Sequence, residues 1–314
     1  MTRRTVLLGA LGLGGLAAGA AAWRSAAAED RFPPQGVFET VEGVRLHLRD
    51  QGPADGPAVV LIHGASGNLR DFDFGLTAAL LAQGWRVLAV DRPGHGHSER
   101  GPADAHRPDV QARLLRGAVA ARGVDRAVIL GHSLGAAVAL AWCLDAPDMA
   151  AGCVDLAGAA MPWPGGVDML YRAASTPLLG RIASNAISLV VSDSFVKTAI
   201  GGIFAPQRPP EGYLEGIGAG LAIRPATQRH NGEDIAYLKP YLAGQSKRYP
   251  GLAPPLEILH GDADTIVPAR IHAEPLSRLA PRARLNLLPG IGHMPHHAAQ
   301  GQVLDALGRL RGGV

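Results

Sequence analysis

A serine between two glycines is the strongest chemical signal in this chain. Residues 131–135 read GHSLG, directly after the apolar run RAVIL and directly before a helix-like stretch, LGAAVALAWCL. In such a strand-turn-helix context the turn is tight enough to require glycine-sized residues two before and two after the serine. The turn also strains the serine and exposes its oxygen. Ser133 is therefore predicted to be a nucleophile.

A serine hydroxyl is a weak nucleophile at neutral pH, so it needs a base within hydrogen-bond reach and a carboxylate that orients that base. His293 follows the last apolar run on the glycine-rich loop GIGH, and we predict that it is the base. His296 and His297 are alternatives. Because they come after Pro295 at the start of the final helix, they are more typical of surface or supporting residues.

Three aspartates could orient this histidine. Asp262 and Asp264 lie in the loop HGDADTIVP after the apolar run PLEIL, where they give the chain order Ser, Asp, His. Asp155 lies inside another apolar run, GCVDLAG, where a carboxylate bonded to neighbouring backbone amides is the simpler interpretation. The residues alone leave the choice among the three open.

Two backbone amides are also expected at the site. Attack on an ester carbonyl develops negative charge on the carbonyl oxygen, and fixed amide donors stabilise that charge. One donor is the amide of Leu134, the residue after the nucleophile. We assign the other to Ala65 in the turn HGASG, residues 63–67, which follows the apolar run AVVLI. The alternative is a plain glycine-rich turn.

Strands and helices that could position these residues alternate along the chain. A hairpin pattern around Gly43 comes first, followed by short continuous apolar runs that are typical of strands buried on both faces. With helical stretches between the runs, the pattern predicts a mostly parallel α/β sheet with helices on both faces. The runs occupy residues 58–64, 85–91, 126–132, 152–158, 255–261 and 284–290.

Residues 159–254 interrupt this alternation and are called the insertion below. Its helical stretches, VDMLYRAAS and GRIASNAISLVVSDSFVKTAI, are separated by proline and glycine. A structureless loop of about 95 residues is uncommon in a compact fold. We therefore expect a helical lid after the sixth strand, over the sheet edge where open α/β folds bind ligands. The core would then comprise residues 29–158 and 255–314.

Residues 1–28 are typical of an export signal. Arg3 and Arg4 precede an uncharged stretch of about 19 residues rich in glycine and alanine, which is followed by the three alanines at 26–28. The paired arginines resemble a twin-arginine leader, so we expect a periplasmic or extracellular bacterial protein cleaved near Glu29. The alternative is an uncleaved membrane anchor, because about 19 residues in a helix just cross a bilayer core.

The composition fits a globular enzyme. Of 314 residues, 47% are hydrophobic and 18% charged, and the net charge of +3 comes without a long basic run, which argues against a nucleic-acid partner. Cys143 and Cys153 cannot form a disulfide framework, and a single bond between them is the less favoured alternative. No CxxC or HExxH motif occurs, so we expect neither a metal site nor a cofactor.

Five motifs in order, HGASG, DRPGHGHS, GHSLG, GDADTIVP and GIGH, resemble those of the α/β-hydrolase family over nearly all of the chain after the leader. In that family the acid after the seventh strand is the aspartate of a G-x-x-D-x-x-x-P loop. Here that loop runs from Gly261 to Pro268, and the resemblance selects Asp264.

The resemblance implies a serine hydrolase that acts on a small carboxylic ester or lactone without a cofactor. A carbon-carbon bond hydrolase and a cofactor-free perhydrolase or haloperoxidase use the same triad and remain alternatives. A binding protein on this scaffold is a further alternative, but it would be marked by a missing triad member, and Ser133, His293 and Asp264 are all present.

Overall fold

The described part of the protein, in a computed structural model, comprises residues 18–166 and 176–314. The predicted helical stretch at 167–175 and residues 1–17 of the predicted leader lie outside it. Among the described residues, no single helix has the length and apolar composition of a membrane span. One pair of helices, Gly180–Val190 and Asp193–Phe204, meets that criterion jointly but is bent by 102°.

The eight strands are β1 Val37–Val41, β2 Val44–Gln51, β3 Ala58–Ile62, β4 Arg86–Val90, β5 Ala127–His132, β6 Ala150–Leu156, β7 Leu256–Gly261 and β8 Ala283–Leu288. They form one sheet in the order β1-β2-β4-β3-β5-β6-β7-β8. β1 pairs antiparallel with β2, and β2 with β4, whereas β3 to β8 pair in parallel. The predicted hairpin and mostly parallel sheet are confirmed.

The helices are α1 at residues 18–31, α2 Leu76–Ala82, α3 Pro108–Ala121, α4 Leu134–Asp145, α5 Pro177–Val190, α6 Asp193–Phe204, α7 Tyr213–Gly216, α8 Ala219–Ala222, α9 Pro225–Gln245, α10 Ala273–Leu279, α11 Pro295–Ala298 and α12 Gln300–Leu310. Apolar residues of α2 and α12 share one buried cluster with the sheet, and those of α3, α4 and α10 share another. Helices thus cover both faces, and β3 to β7 are buried at every residue.

Between β6 and β7 the described part of the insertion is helical and comprises α5 to α9. Asn231 of α9 accepts a hydrogen bond from the amide of Ser66, in the loop after β3. Gln207, between α6 and α7, exchanges hydrogen bonds with Gly290 and Gly292, in the loop after β8. The insertion therefore contacts loops at the carboxyl edge of the sheet.

Helix α1 packs against the insertion. The guanidinium of Arg24 donates to the carbonyls of Leu189 and Val191, at the carboxyl end of α5, over 2.8 and 3.4 Å. Glu29 pairs with Arg224, with 2.6 Å between the carboxylate and guanidinium atoms. A cleft of about 570 Å³ is lined by residues of α1 and of the insertion. Residues 18–28 of the predicted leader thus contribute to the packing of the described fold.

Candidate active site

Ser133 lies at the turn between β5 and α4. Its backbone has φ 54° and ψ −120°, a conformation that is strained for any residue with a side chain. The backbone around β6 supports it, because the Ser133 amide donates to Leu156 O at 3.0 Å and Ser133 O accepts from the Ala159 amide at 3.1 Å. The sharp turn expected from the pentapeptide is therefore present, and hydrogen bonds to the end of β6 and to the residues that follow it hold the turn in place.

The two glycines of the pentapeptide are needed for different reasons. A Cβ on Gly131 would overlap the backbone of Gly135, as expected for a tight turn. A Cβ on Gly135 would instead overlap the carbonyl oxygens of Ile62 and His63, at the end of β3. The turn alone therefore explains only Gly131, and Gly135 is required because α4 begins directly against the neighbouring strand.

His293 connects the hydroxyl of Ser133 to the carboxylate of Asp264. Its Nε2 lies 3.0 Å from Ser133 Oγ, and its Nδ1 lies 2.7 Å from Asp264 Oδ2. A carboxylate at Nδ1 favours the tautomer that is protonated there and leaves Nε2 free to accept the hydroxyl proton. All three residues are buried. The structure thus brings the predicted nucleophile, base and acid together.

Asp264 is held as an ionised carboxylate. Its Oδ1 accepts from the amides of Ile266 and Val267 at 2.8 and 2.9 Å, and His260 Nε2 lies 3.4 Å from its Oδ2. Burial alone would raise the pKa of Asp264, but hydrogen bonds from His260, His293 and the Val267 amide outweigh it and hold this pKa well below its usual range. The carboxylate is therefore a charged acceptor for His293 at neutral pH.

The two rival aspartates have other partners. Asp262 Oδ1 accepts from the amide of Gly290 at 2.7 Å and so ties together the loops after β7 and β8. Asp155 Oδ1 accepts from the amide of Gly158 at 3.0 Å, inside the core, where burial raises the pKa of Asp155 to about 6. Of the three candidates, Asp264 is the one bonded to His293.

The raised pKa of Asp155 predicts a pH-dependent loss of stability. Because its pKa is higher in the folded than in the unfolded chain, Asp155 destabilises the fold as the pH rises from its ordinary pKa of 3.8 through about 6. Asp155→Asn keeps the oxygen that accepts from Gly158 and cannot ionise. The unfolding free energy of Asp155→Asn, relative to that of the wild type, should therefore rise by about 2 kcal/mol between pH 4 and pH 7. Urea denaturation at several pH values measures this difference.

Asp262→Asn is the matched control for this measurement, because Asp262 is exposed and also accepts one backbone amide. The unfolding free energy of Asp262→Asn, relative to that of the wild type, should vary less with pH than that of Asp155→Asn. A difference between Asp155→Asn and the wild type that stays constant from pH 4 to 7 would contradict the prediction.

The turn at residues 63–67 lies against the nucleophile. A Cβ on Gly64 would lie 3.1 Å from Ser133 Cβ and 3.0 Å from His132 Nδ1, closer than side chains normally pack. A larger residue would have to push these neighbours apart, so glycine suits this close approach of the backbone. The contact brings Gly64 next to Ser133. The two predicted amide donors come directly after these residues, because Ala65 follows Gly64 and Leu134 follows Ser133.

His132 contacts the backbone of His293, the predicted base. Its Nε2 lies 2.9 Å from the backbone oxygen of His293, so its ring is turned toward the histidine loop. Burial and the neighbouring histidines lower the pKa of His132 well below its usual range, and the ring is therefore neutral and suited to donate this hydrogen bond.

A second buried cluster beside the site has no sequence motif and was not foreseen. The carboxylate of Asp71 accepts from the Tyr213 hydroxyl at 2.7 Å and from Nε2 of His296 and of His297, both at 3.0 Å. Burial would raise the pKa of Asp71, but the electrostatic attraction and hydrogen bonds of His296 and His297 hold it well below its usual range. The possible ligand atoms lie within 4.8 Å of one another, a spacing open to a metal ion, but the hydrogen bonds already account for the arrangement.

The chain is similar in sequence and in fold to several known proteins. A family model described as alpha/beta hydrolase fold matches residues 57–299. An uncharacterized protein of Mycobacterium tuberculosis is 27% identical over 90% of this chain and 82% of its own length. A bifunctional esterase/perhydrolase of Acinetobacter calcoaceticus is 26% identical over 88% of this chain and 99% of its own. The solved structure of an esterase from Exiguobacterium antarcticum, 20% identical over 88% of this chain and 99% of its own, has the same fold with a TM-score of 0.69.

Proposed function

The chain belongs to the α/β-hydrolase family, and we propose that it is a serine hydrolase that cleaves a carboxylic ester or lactone through an acyl-enzyme. One observation carries this proposal. It is the buried hydrogen-bonded series from Ser133 through His293 to Asp264, with distances of 3.0 and 2.7 Å. Such a series activates a serine hydroxyl for attack on a carbonyl carbon.

In the proposed reaction, Ser133 Oγ attacks the carbonyl carbon while His293 Nε2 takes the hydroxyl proton. The amides of Ala65 and Leu134 stabilise the negative oxygen, each lowering the barrier by about 3 kcal/mol. His293 then gives the proton to the departing alcohol, and a water molecule activated by the same histidine releases the acyl group. These steps need no cofactor.

We propose further that the insertion is a lid that selects the substrate. Besides its contacts with the loops after β3 and β8, it contributes Phe204, Tyr213 and Ile217 to an apolar cluster that also contains Met294, the residue after His293. A substrate that enters beside His293 therefore meets apolar side chains. This favours an ester with an apolar acyl or alcohol group.

A panel of short p-nitrophenyl esters, lactones and vinylogous diketones, assayed side by side, tests the reaction class. We expect ester or lactone turnover, and a fluorophosphonate adduct that mass spectrometry maps to Ser133. The alternative of peroxide-dependent chemistry is supported by the similarity to the bifunctional esterase/perhydrolase. It is therefore assayed in parallel with acetate and hydrogen peroxide.

Diketone cleavage or peracid formation without ester or lactone hydrolysis would replace the proposed reaction by one of these alternatives. An unlabelled Ser133 in folded protein would overturn the nucleophile itself. The fluorophosphonate experiment thus tests the mechanism, and the panel tests the substrate class.

A further inference from the structure

We infer that helix α9 of the insertion positions the amide that binds the oxyanion, and that Asn231 is the residue through which it does so. The inference rests on the proposed function, because it concerns how the Ala65 amide is oriented. The Ser66 amide donates to Asn231 Oδ1 at 2.7 Å, across 165 residues of chain. Asn231 is 5% exposed, so the surrounding fold holds its acceptor oxygen in place, whereas Ser66 is exposed.

The amide of Ala65 belongs to the peptide unit that joins it to Gly64. The oxygen of this unit, Gly64 O, accepts from His63 Nδ1 at 2.8 Å and from Arg92 Nη2 at 3.1 Å. Because a trans peptide is planar, with its C=O and N–H on opposite sides, fixing the oxygen also fixes the direction of the Ala65 N–H. Burial lowers the pKa of His63 to about 4, so its ring is neutral at pH 7.

The next peptide unit, between Ala65 and Ser66, is the one that Asn231 holds. Ser66 has φ 53°, a left-handed conformation that is strained for a serine. Without an acceptor for its amide, this unit can rotate towards a less strained conformation. The two units are joined at the Ala65 Cα, so a rotation of the second unit strains the first and displaces the Ala65 N–H from the direction that the bonds to Gly64 O give it.

Helix α9 also supports the first unit. Arg92 is fully buried, and its Nη1 pairs with Asp234 Oδ2 of α9 at 2.6 Å, while its Nε donates to His63 O at 3.0 Å. Asp234 lies three residues after Asn231, on the same face of the helix. One helix of the insertion thus reaches the peptide units on both sides of Ala65.

Asn231 is the better residue to substitute. Removal of Asp234 leaves the buried charge of Arg92 without its partner, and removal of Arg92 takes away the hydrogen bonds to His63 O and Gly64 O, so either change destabilises the fold. Asn231 is neutral, and leucine has nearly its shape but lacks the acceptor oxygen. Asn231→Asp keeps an acceptor oxygen at the same place.

The test compares kcat and KM for an ester that the wild type hydrolyses, with both normalised to active sites titrated by fluorophosphonate. Asn231→Leu should lower kcat per site by roughly 30-fold, with KM within about twofold, because the oxyanion forms after the ester binds. Binding of phenylboronic acid, whose adduct places an oxygen where the oxyanion forms, should weaken in parallel. Asn231→Asp should lose less than about tenfold, because it still accepts the Ser66 amide.

Gln228→Leu is the matched control, since Gln228 is an amide on the same helix and its Nε2 donates to Ile223 O, within the insertion. Wild-type kcat per site in Asn231→Leu, or an equal loss in Gln228→Leu, would overturn the inference. Asn231→Ala also lacks the acceptor oxygen and replaces the leucine variant if that variant does not fold.

The failure of the proposed function can be told apart from the failure of this inference. If the wild type is not labelled at Ser133, the proposed function fails. If the wild type is labelled and Asn231→Leu has the same kcat per active site, this inference alone is refuted.

Discussion

Ser133→Ala is expected to lower kcat by about 10⁴- to 10⁶-fold for any ester that the wild type hydrolyses. The substitution removes only Oγ, the atom that lies 3.0 Å from His293 Nε2. His293, Asp264 and the backbone amides remain, so substrate still binds and only the covalent step is lost. Initial rates with a p-nitrophenyl ester at saturating concentration measure the effect.

Ser277→Ala is the control for this experiment. The Ser277 hydroxyl bonds to Glu274 O within α10 at 2.8 Å, so its removal should leave kcat unchanged. Circular dichroism of both variants shows that the fold is retained. Substantial residual activity in Ser133→Ala, above that of the uncatalysed reaction with the same ester, would show that another group carries out the attack.

Asp264→Asn is expected to lower kcat by about 10⁴-fold. An asparagine amide group facing His293 Nδ1 favours the tautomer with the proton on Nε2, which can no longer accept the hydroxyl proton of Ser133. The same kinetic assay measures the loss, and near-normal KM would place the defect in the chemical step rather than in binding.

Two parallel variants test the choice of acid. Asp262→Asn and Asp155→Asn each retain an oxygen for the backbone amide that their aspartate binds, of Gly290 and Gly158 respectively. Both should keep kcat within a few fold of the wild type. A large loss in one of them together with near-normal activity in Asp264→Asn would move the acid to that position.

The sheet could be predicted because each central strand is a continuous apolar run. The predicted runs agree with the observed strands to within two residues at either end; β6 differs most, at Ala150–Leu156 rather than 152–158, and β8 ends at Leu288 rather than at residue 290. As an edge strand, β8 is buried at only one of its six residues, so burial does not define its end. A strand that is marked by a local, continuous apolar run can therefore be located from the sequence alone.

The nucleophile could also be predicted, because the steric demand of the turn is local. The reason for Gly135 could not, since it lies in the approach of α4 to β3 across the sheet. Asp71 and Asn231 had no signal at all. Their partners are 142 to 226 residues away along the chain, and neither the type nor the spacing of these residues indicates which loops will meet.

The packing of α1 has a consequence for the maturation of the protein. Arg24 satisfies carbonyls at the carboxyl end of α5, where a helix has no internal donors left. Leader cleavage near Glu29 would remove Arg24, uncover those carbonyls and open the cleft between α1 and the insertion to water. Under the predicted cleavage, precursor and mature enzyme would differ in the outer wall of the insertion, so the same cut would also change the proposed lid.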